Sequence, residues 1–122
     1  MILLIVENNS SIRRVIRSVV SPVAEQIFEC EDGSDAQAAY LQHQPDFVLM
    51  DISMKGVDGL TATRQIRKAD PEAKVIIVTN YDEGDLREEA SRAGACGYVL
   101  KENLLELVGV LLRSAGSETG GA

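Results

Sequence analysis

The sequence predicts an α/β fold in which a five-stranded parallel sheet is flanked by five helices. Short apolar runs without polar alternation recur along the chain, which is typical of strands buried on both faces of a sheet. A segment with helical spacing follows each run, and this regular alternation indicates right-handed βαβ crossovers. The chain of 122 residues fits a single domain with one core.

Five segments have the composition of strands. The second has only Ile27 and Phe28 as large apolar residues, which favours a position at the edge of the sheet. The central one runs directly into Asp51, a carboxylate that is costly to bury without a partner or a function. The predicted strands are Ile2–Val6, Glu25–Cys30, Phe47–Met50, Lys74–Val78 and Gly97–Leu100.

The helices are predicted from their capping residues and apolar faces. Small polar residues precede four of them, and a glycine ends the fourth. The predicted caps are Asn9 or Ser10, Asp32, Asp58, Asp82 and Gly94. The stripes of the first and last helices are Ile12, Val15, Ile16, Val19 and Val20, and Leu104, Leu105, Val108, Leu111 and Leu112.

The domain is predicted to span residues 1–116. Residues 117–122 are small and polar, which favours a flexible tail or the start of a linker. The net charge of -7 argues against a nucleic-acid-binding surface, since phosphate backbones attract basic patches. No apolar run approaches the ~20 residues of a membrane span, and no signal-peptide pattern precedes the first strand, so we expect a cytoplasmic location without membrane contact.

Cysteine and histidine chemistry is not expected. Cys30 and Cys96 match no metal-ligand spacing and are predicted to be small buried hydrophobes in a reducing compartment. His43 is the only histidine and is predicted to lie in a surface loop. Histidine catalysis and a histidine-ligated metal are therefore not expected.

Polar side chains follow the ends of four predicted strands. Glu7 and Asn8 follow the first strand, Asp51 the third, Thr79 the fourth and Lys101 the fifth. Ligands of open parallel sheets bind at the carboxyl ends of the strands, so these groups are expected at one edge. Carboxylates hold Mg²⁺ through oxygen, lysine and hydroxyl groups hold phosphate oxygens, and an aspartate can itself form an acyl phosphate. The set therefore suits phosphoryl binding.

The chain resembles the receiver domain of two-component response regulators over nearly its whole length. The matching positions are Glu7, residues 48–54, Asp58, Gly59, Thr79, Tyr98 and Lys101. Residues 93–101 are most similar to receivers of the NarL/LuxR type, which precede a helix-turn-helix domain. The resemblance implies the flavodoxin-like, CheY-like strand order 2-1-3-4-5, which would place Glu7 beside Asp51.

By this resemblance, Asp51 would accept a phosphoryl group from a histidine kinase or a phosphotransfer protein. Thr79 would contact that group, Lys101 would pair with it, and Tyr98 would be the switch residue that swings inward as Thr79 moves. The face made by the fourth helix, fifth strand and fifth helix would then control a partner or dimerisation. The implied Mg²⁺ ligands are Glu7, Asn8, Asp51 and the backbone carbonyl of Ser53.

Four positions depart from the family pattern. Asn8 stands where a second acidic residue usually ligates Mg²⁺, so we expect weaker Mg²⁺ binding and slower phosphotransfer. Lys55 and Glu102 each replace a proline, and Asn80 replaces a small residue. Because the family's bond before the second of these prolines is commonly cis, the loop around Lys101 is expected to differ or to retain a costly cis bond.

Three function classes remain. The first is a phospho-accepting receiver that is not an independent enzyme but catalyses its own phosphotransfer and autodephosphorylation. The alternative is a phosphorylation-independent pseudo-receiver that acts as an interaction module, which the four departures favour. A phosphatase of the haloacid-dehalogenase type would need an aspartate at Ser53, and the sequence has no Gly-rich phosphate loop. A helix-turn-helix domain after residue 122 and a stand-alone receiver are both compatible with the sequence, as is a homodimer.

Overall fold

The computed structural model describes residues 1–54 and 56–120, and of residues 116–120 the backbone alone. Its strands are β1 (Ile2–Val6), β2 (Gln26–Cys30), β3 (Phe47–Met50), β4 (Val75–Thr79) and β5 (Gly97–Leu100). They form one parallel sheet in the order β2-β1-β3-β4-β5. The expected strand order and the edge position of β2 are thus confirmed.

Helices connect the strands on both faces of the sheet. They are α1 (Ser10–Val20), α2 (Ala36–His43), α3 (Gly59–Ala69), α4 (Gly84–Ala93) and α5 (Glu106–Gly120). The backbone of α5 is helical through Gly120, where the sequence favours a tail from residue 117. Residues 121–122 of that predicted tail, and Lys55, lie outside the described residues. The domain boundary at residue 116 stays a prediction.

Two apolar layers cover the sheet, because successive side chains of a strand point to opposite faces. Leu4 and Val6 of β1 belong to the layer that includes residues of α2, α3 and α4, whereas Leu3 and Ile5 belong to the layer that includes residues of α1 and α5. All four side chains are fully buried. Burial of each contributes about 1.5–3 kcal/mol to folding. The central strands are therefore held firmly, and the residues at their carboxyl ends have defined positions.

The apolar stripes of α1 and α5 are narrower than predicted. In the C-terminal segment, residues 101–103 form a 3₁₀ turn and α5 begins only at Glu106. This turn changes the phase of the helix relative to the predicted stripe. Leu107, which is outside the predicted stripe, is fully buried. Of the predicted members, the buried ones are Ile16, Val20, Leu104 and Leu111, the half-buried ones are Ile12, Val19 and Val108, and the exposed ones are Val15, Leu105 and Leu112.

The predicted caps Asn9, Asp58 and Gly94 are confirmed. Asp32 caps a 3₁₀ turn at residues 33–35 through the Ser34 N–H, whereas the N-cap residue of α2 is Asp35, which makes no side-chain capping bond. Asn9 and Asp58 each accept a hydrogen bond from the backbone N–H three residues later, at 3.0 and 2.9 Å. Asp82 does not cap α4, because its carboxylate accepts a hydrogen bond from Arg87 Nε at 2.8 Å. Glu83 occupies the N-cap position, and its side chain makes no capping bond.

Two predictions about cysteine and histidine are wrong. Cys30 is buried as expected, but Cys96 is exposed because it lies in the connection just before β5. His43 is the last residue of α2 rather than part of a loop, and its ring stacks on Phe28 with centroids 3.7 Å apart. In the part of the chain that the structure describes, no helix has the length and apolar character that crossing a membrane would require.

Candidate functional site

Three charged side chains from different strands meet at the carboxyl edge of the sheet. Val6 of β1 pairs with Met50 of β3, so the residues that follow them, Glu7 and Asp51, are neighbours. Lys101 follows β5 and reaches over both. Its Nζ lies 2.7 Å from Glu7 Oε1 and 3.3 Å from Asp51 Oδ1. The expectation that Glu7, Asp51 and Lys101 come together is met.

This charged cluster is almost completely removed from water. The side chains of Glu7, Asp51 and Lys101 are 2%, 4% and 11% exposed. An isolated buried carboxylate would be strongly unfavourable, and two adjacent ones more so. The ammonium of Lys101 offsets this cost, and the cluster of one cation and two anions retains a net negative charge.

Burial raises the pKa of the Asp51 carboxyl above its ordinary value, and the nearby charge of Glu7 raises it further. Lys101 acts in the opposite direction through its charge and its contact, and the backbone N–H of Ser53 also favours the ionised form. A carboxylate that is desolvated but still paired with a cation is a good candidate for chemistry.

Glu7 is held in place by its surroundings. Its Oε2 accepts a hydrogen bond from the Asn9 backbone N–H at 3.1 Å. Arg13 Nη1 donates to the Glu7 backbone carbonyl at 2.7 Å. Oε1 is buried and has no hydrogen-bond partner among the described residues. The ammonium of Lys101 lies 2.7 Å from that atom, so we treat the contact as an ion pair without favourable hydrogen-bond geometry.

Gly59 allows α3 to pack directly against the backbone of Asp51. A Cβ at this position would lie 1.9 Å from the Asp51 carbonyl oxygen. The Gly59 N–H also donates to the carbonyl of Ile52 at 2.9 Å. Gly59 is thus needed for close approach, whereas Gly56 has a positive φ, of 75°.

Thr79 and Tyr98 are linked through the backbone of Tyr81. Thr79 is fully buried at the end of β4. Its Oγ1 accepts a hydrogen bond from the Tyr81 N–H at 3.3 Å. The half-buried Tyr98 donates its hydroxyl hydrogen to the Tyr81 carbonyl at 2.6 Å. The Arg87 guanidinium lies 4.5 Å from the centre of the Tyr98 ring. The two predicted switch residues therefore contact the same peptide segment.

The residues around Asp51 fit a site for a hard divalent cation. Two buried carboxylates follow paired strands and both contact Lys101, and Glu7 Oε1 has no hydrogen bond among the described residues. Asn8 is exposed one residue beyond Glu7, and Ser53 lies two residues beyond Asp51. Oxygen donors of this kind suit Mg²⁺. Among the described residues, no cluster of three or more acidic, histidine or cysteine side chains could hold a metal.

The other described departures from the family pattern concern an exposed side chain, Asn80, and the peptide bond before Glu102. Asn80 is exposed directly after Thr79. The described residues contain no cis peptide bond, so the bond before Glu102 is trans and the expected alternative of a retained cis bond is wrong. Lys55 lies outside the described residues.

Sequence reasoning missed two residues of the site. Arg13 contacts the Glu7 carbonyl, although its only mark in the sequence is a place within the first predicted helix. A basic residue one helical turn beyond a cap was the available signal, and it is weak because such residues are usually solvated. Tyr81 acts through its backbone atoms, which a sequence does not mark.

The geometry agrees with the comparisons with known proteins. Residues 3–111 match the response regulator receiver domain family. The chain is 34% identical over 98 residues to the chemotaxis protein CheY of Halobacterium salinarum, covering 80% of this chain and 82% of that protein. It is 30% identical over 114 residues to the transcriptional regulatory protein LiaR of Bacillus subtilis, covering 92% of this chain but only 54% of LiaR.

A solved structure has the same fold. The crystal structure of a DNA-binding response regulator of the LuxR family from Staphylococcus aureus superposes with a TM-score of 0.83 at 30% identity. The match covers 92% of this chain and 96% of that one. The expected resemblance, the fold and the general function are thereby confirmed.

Proposed function

The chain belongs to the response regulator receiver domains of two-component systems, and from this premise we propose that Asp51 is its phospho-acceptor. The observation that carries the proposal is the Lys101 ammonium 3.3 Å from a carboxylate that is buried and adjacent to Glu7. The donor would be the phosphohistidine of a histidine kinase or of a phosphotransfer protein.

In the proposed step, an Asp51 carboxylate oxygen attacks the phosphorus atom. The bond from phosphorus to the donor imidazole nitrogen breaks, and the electron pair stays on that nitrogen. An acyl phosphate forms on Asp51. Lys101 pairs with the transferred group, and the Thr79 hydroxyl donates to one of its oxygens. The domain would catalyse its own phosphorylation and its own dephosphorylation without acting on free small molecules.

Glu7, Asp51, Asn8 and the backbone carbonyl of Ser53 would hold Mg²⁺. A bound Mg²⁺ supplies positive charge that offsets the charge of the phosphoryl oxygens. Because Asn8 contributes an amide oxygen instead of a carboxylate, the site would bind Mg²⁺ more weakly than one with a second acid.

Phosphorylation would act on the face formed by α4, β5 and α5. The Tyr81 segment joins Thr79 to Tyr98, so a shift of Thr79 toward the phosphoryl group would alter the contacts of the Tyr98 ring. A local change in charge alters a surface by shifting the equilibrium between two such arrangements of the side chains. The altered face would control a homodimer or a partner.

We propose the regulatory output that this receiver controls from the proteins to which the chain is similar. The chain spans about half the length of LiaR, and the LuxR-family neighbour is described as DNA-binding. A helix-turn-helix domain that follows this receiver in a longer protein would therefore bind DNA in the cytoplasm, while the receiver itself would contact neither nucleic acid nor membrane.

Phosphorylation of Asp51 can be tested by intact-mass spectrometry. The protein is incubated with acetyl phosphate and Mg²⁺ and quenched rapidly. We expect a mass gain of one phosphoryl group in the wild type and in Asp85→Asn, an exposed acid of α4. Asp51→Asn should show no gain. An equal gain in Asp51→Asn would assign the modification to another residue and refute the proposal.

A pseudo-receiver that switches without phosphate is the second candidate. It is favoured by the ion pair of Lys101 with Glu7, which is shorter than its contact with Asp51, and by the neutral Asn8. Under this alternative neither acetyl phosphate nor a cognate kinase modifies the wild type. Beryllofluoride with Mg²⁺ would also leave the backbone amide resonances near Asp51 unchanged.

A further inference from the structure

Lys101 is the cation that serves both buried carboxylates of the site. Its Nζ is closer to Glu7 Oε1, at 2.7 Å, than to Asp51 Oδ1, at 3.3 Å. The nearby Arg13 directs its guanidinium to Glu29, Glu31 and the Glu7 backbone carbonyl instead of the Glu7 carboxylate. Charge compensation of the Glu7 carboxylate thus falls to Lys101.

The contact with Lys101 involves Glu7 Oε1, the oxygen atom that would be available to ligate a metal. Glu7 Oε2 is engaged by the Asn9 N–H, and Oε1 has no hydrogen bond within the described chain. Of the two carboxylate oxygens of Glu7, Oε1 is therefore the one that accepts no hydrogen bond from the described residues, and it contacts the Lys101 ammonium. Two cations at one buried carboxylate oxygen would repel each other strongly, since little water is present to screen them.

Building on the magnesium site of the proposed function, we infer that Lys101 and the divalent cation compete for Glu7. The ammonium is the resident counter-ion of Glu7, and it leaves Glu7 for Asp51 or its phosphoryl group when the metal is held. Lys101 therefore sets the metal affinity of the resting site in addition to pairing with phosphate. The neutral Asn8 strengthens this competition, because no further carboxylate attracts the metal.

The test compares Mg²⁺ dissociation constants by isothermal titration calorimetry. Lys101→Met keeps the aliphatic stem and removes the charge. We expect it to bind Mg²⁺ on the order of tenfold more tightly than the wild type. Lys68→Met removes the same charge from an exposed position in α3. It should change the dissociation constant by less than about twofold, since exposed charges are screened.

A double-mutant cycle locates the competition at Glu7. In a Glu7→Gln background, Lys101→Met should give little or no gain, because the contested carboxylate is absent. A gain that persists in this background would overturn the inference, as would an unchanged or weaker affinity in Lys101→Met alone. Lys101→Gln provides the same comparison if circular dichroism shows that the methionine variant is unfolded.

Displacement of Lys101 from Glu7 can also be observed directly in protein that retains the lysine charge. In protein with ¹³C-labelled lysine, the Lys101 Cε resonance, assigned by its absence from Lys101→Met, should shift on Mg²⁺ addition while the Lys68 resonance stays. A static Lys101 resonance during saturable binding would refute displacement. If Glu7→Gln and Asp51→Asn both leave the Mg²⁺ affinity unchanged, the metal binds elsewhere and the proposed magnesium site fails too. If they weaken it and Lys101→Met has no effect, the competition alone fails.

Discussion

Arg13 Nη1 donates a hydrogen bond to the backbone carbonyl of Glu7 at 2.7 Å. The same guanidinium pairs with Glu29 at 2.8 Å and with Glu31 at 3.4 Å. These contacts tie α1 to the end of β1 and to the edge strand β2. The side chain of Arg13 is only 12% exposed, and its bond to the carbonyl fixes the peptide from which the Glu7 carboxylate projects.

Replacement of Arg13 should weaken both the fold and the site. In Arg13→Met the Glu7 carbonyl and Glu29 each lose a charged donor, so we expect the free energy of unfolding to fall by about 1–3 kcal/mol. Phosphorylation of Asp51 by acetyl phosphate should also slow, since Glu7 is no longer held. Urea denaturation and quenched mass spectrometry measure the two effects.

Arg17→Met is the matched control for this variant. Arg17 Nη1 pairs with the other oxygen of Glu29 at 2.5 Å but does not contact Glu7. Its half-exposed pair should contribute less than about 1 kcal/mol, and the phosphorylation rate should be retained. Equal slowing in the two variants would mean that Arg13 acts only through general stability.

The strand order was implied only by the family resemblance, whereas the parallel sheet was predictable because the central strands are continuous apolar runs. Such runs are buried on both faces only in a parallel sheet with helices on each side, and β1, β3 and β4 are buried in this way. The helical stripe at the C-terminus was less predictable. Leu105 belongs to the periodic pattern but is 86% exposed, because the 3₁₀ turn at residues 101–103 competes with α-helix and a sequence does not reveal its phase.

The sheet topology predicts that the charged side chains meet at one edge, but it does not predict which of them contact each other. Glu7, Asp51 and Lys101 each follow a strand, so a parallel sheet brings them to one edge. The preference of Lys101 for Glu7 depends on side-chain reach, which residue order does not specify. The donor to the Glu7 carbonyl comes from the next helix, and hydrogen bonds to backbone atoms leave no mark in composition.

Gly59→Ala should damage the Asp51 loop. The new Cβ would lie 1.9 Å from the Asp51 carbonyl oxygen and 2.7 Å from its carbon, and backbone atoms cannot rotate away. We expect the free energy of unfolding to fall by at least about 2 kcal/mol and phosphorylation of Asp51 to slow. Urea denaturation followed by intact-mass kinetics tests both effects.

Gly84→Ala is the control at the start of another helix. No atom lies within 4 Å of its added Cβ. The alanine should leave phosphorylation unchanged and raise the free energy of unfolding by up to about 1 kcal/mol, because it restricts the unfolded chain. A Gly59→Ala protein as stable as the wild type would contradict the close packing of α3 on Asp51.

Tyr40 makes part of the stability depend on pH through Asp70. The buried Tyr40 hydroxyl donates to Asp70 Oδ2 at 2.6 Å. This bond, with the Glu72 N–H, lowers the pKa of the Asp70 carboxyl below its ordinary value of 3.8. A carboxyl whose pKa is lowered in the folded state stabilises the fold above its ordinary pKa. That stabilisation is lost as the pH falls through the lower, folded-state value.

Tyr40→Phe should therefore raise the pKa of Asp70 toward its ordinary value. The remaining Glu72 N–H keeps part of the depression. The difference in stability between the two proteins should be full at neutral pH and shrink under strongly acidic conditions. Carboxyl ¹³C chemical shifts follow the titration. Tyr81→Phe, at an exposed ring, should leave the Asp70 titration unchanged, and an unshifted pKa in Tyr40→Phe would remove the assigned cause.

Asn8 limits the negative charge available to a divalent cation. It follows Glu7 at the end of β1 and is exposed, so a carboxylate there would be added with little desolvation cost. Asn8→Asp should bind Mg²⁺ on the order of tenfold more tightly than the wild type, because one more charged oxygen ligand faces the cation. Calorimetry gives the affinity, and the rate of phosphorylation at limiting Mg²⁺ should rise with it.

Asn9→Asp separates ligation from a general charge effect. Asn9 caps α1 through its side-chain oxygen, and an aspartate caps equally well, so the variant adds the same charge one residue farther along without damage to the helix. Its dissociation constant for Mg²⁺ should change by less than about threefold, since an exposed charge that does not ligate is screened. If both variants tighten binding equally, the gain comes from the local field, and Asn8 is then no ligand position at all.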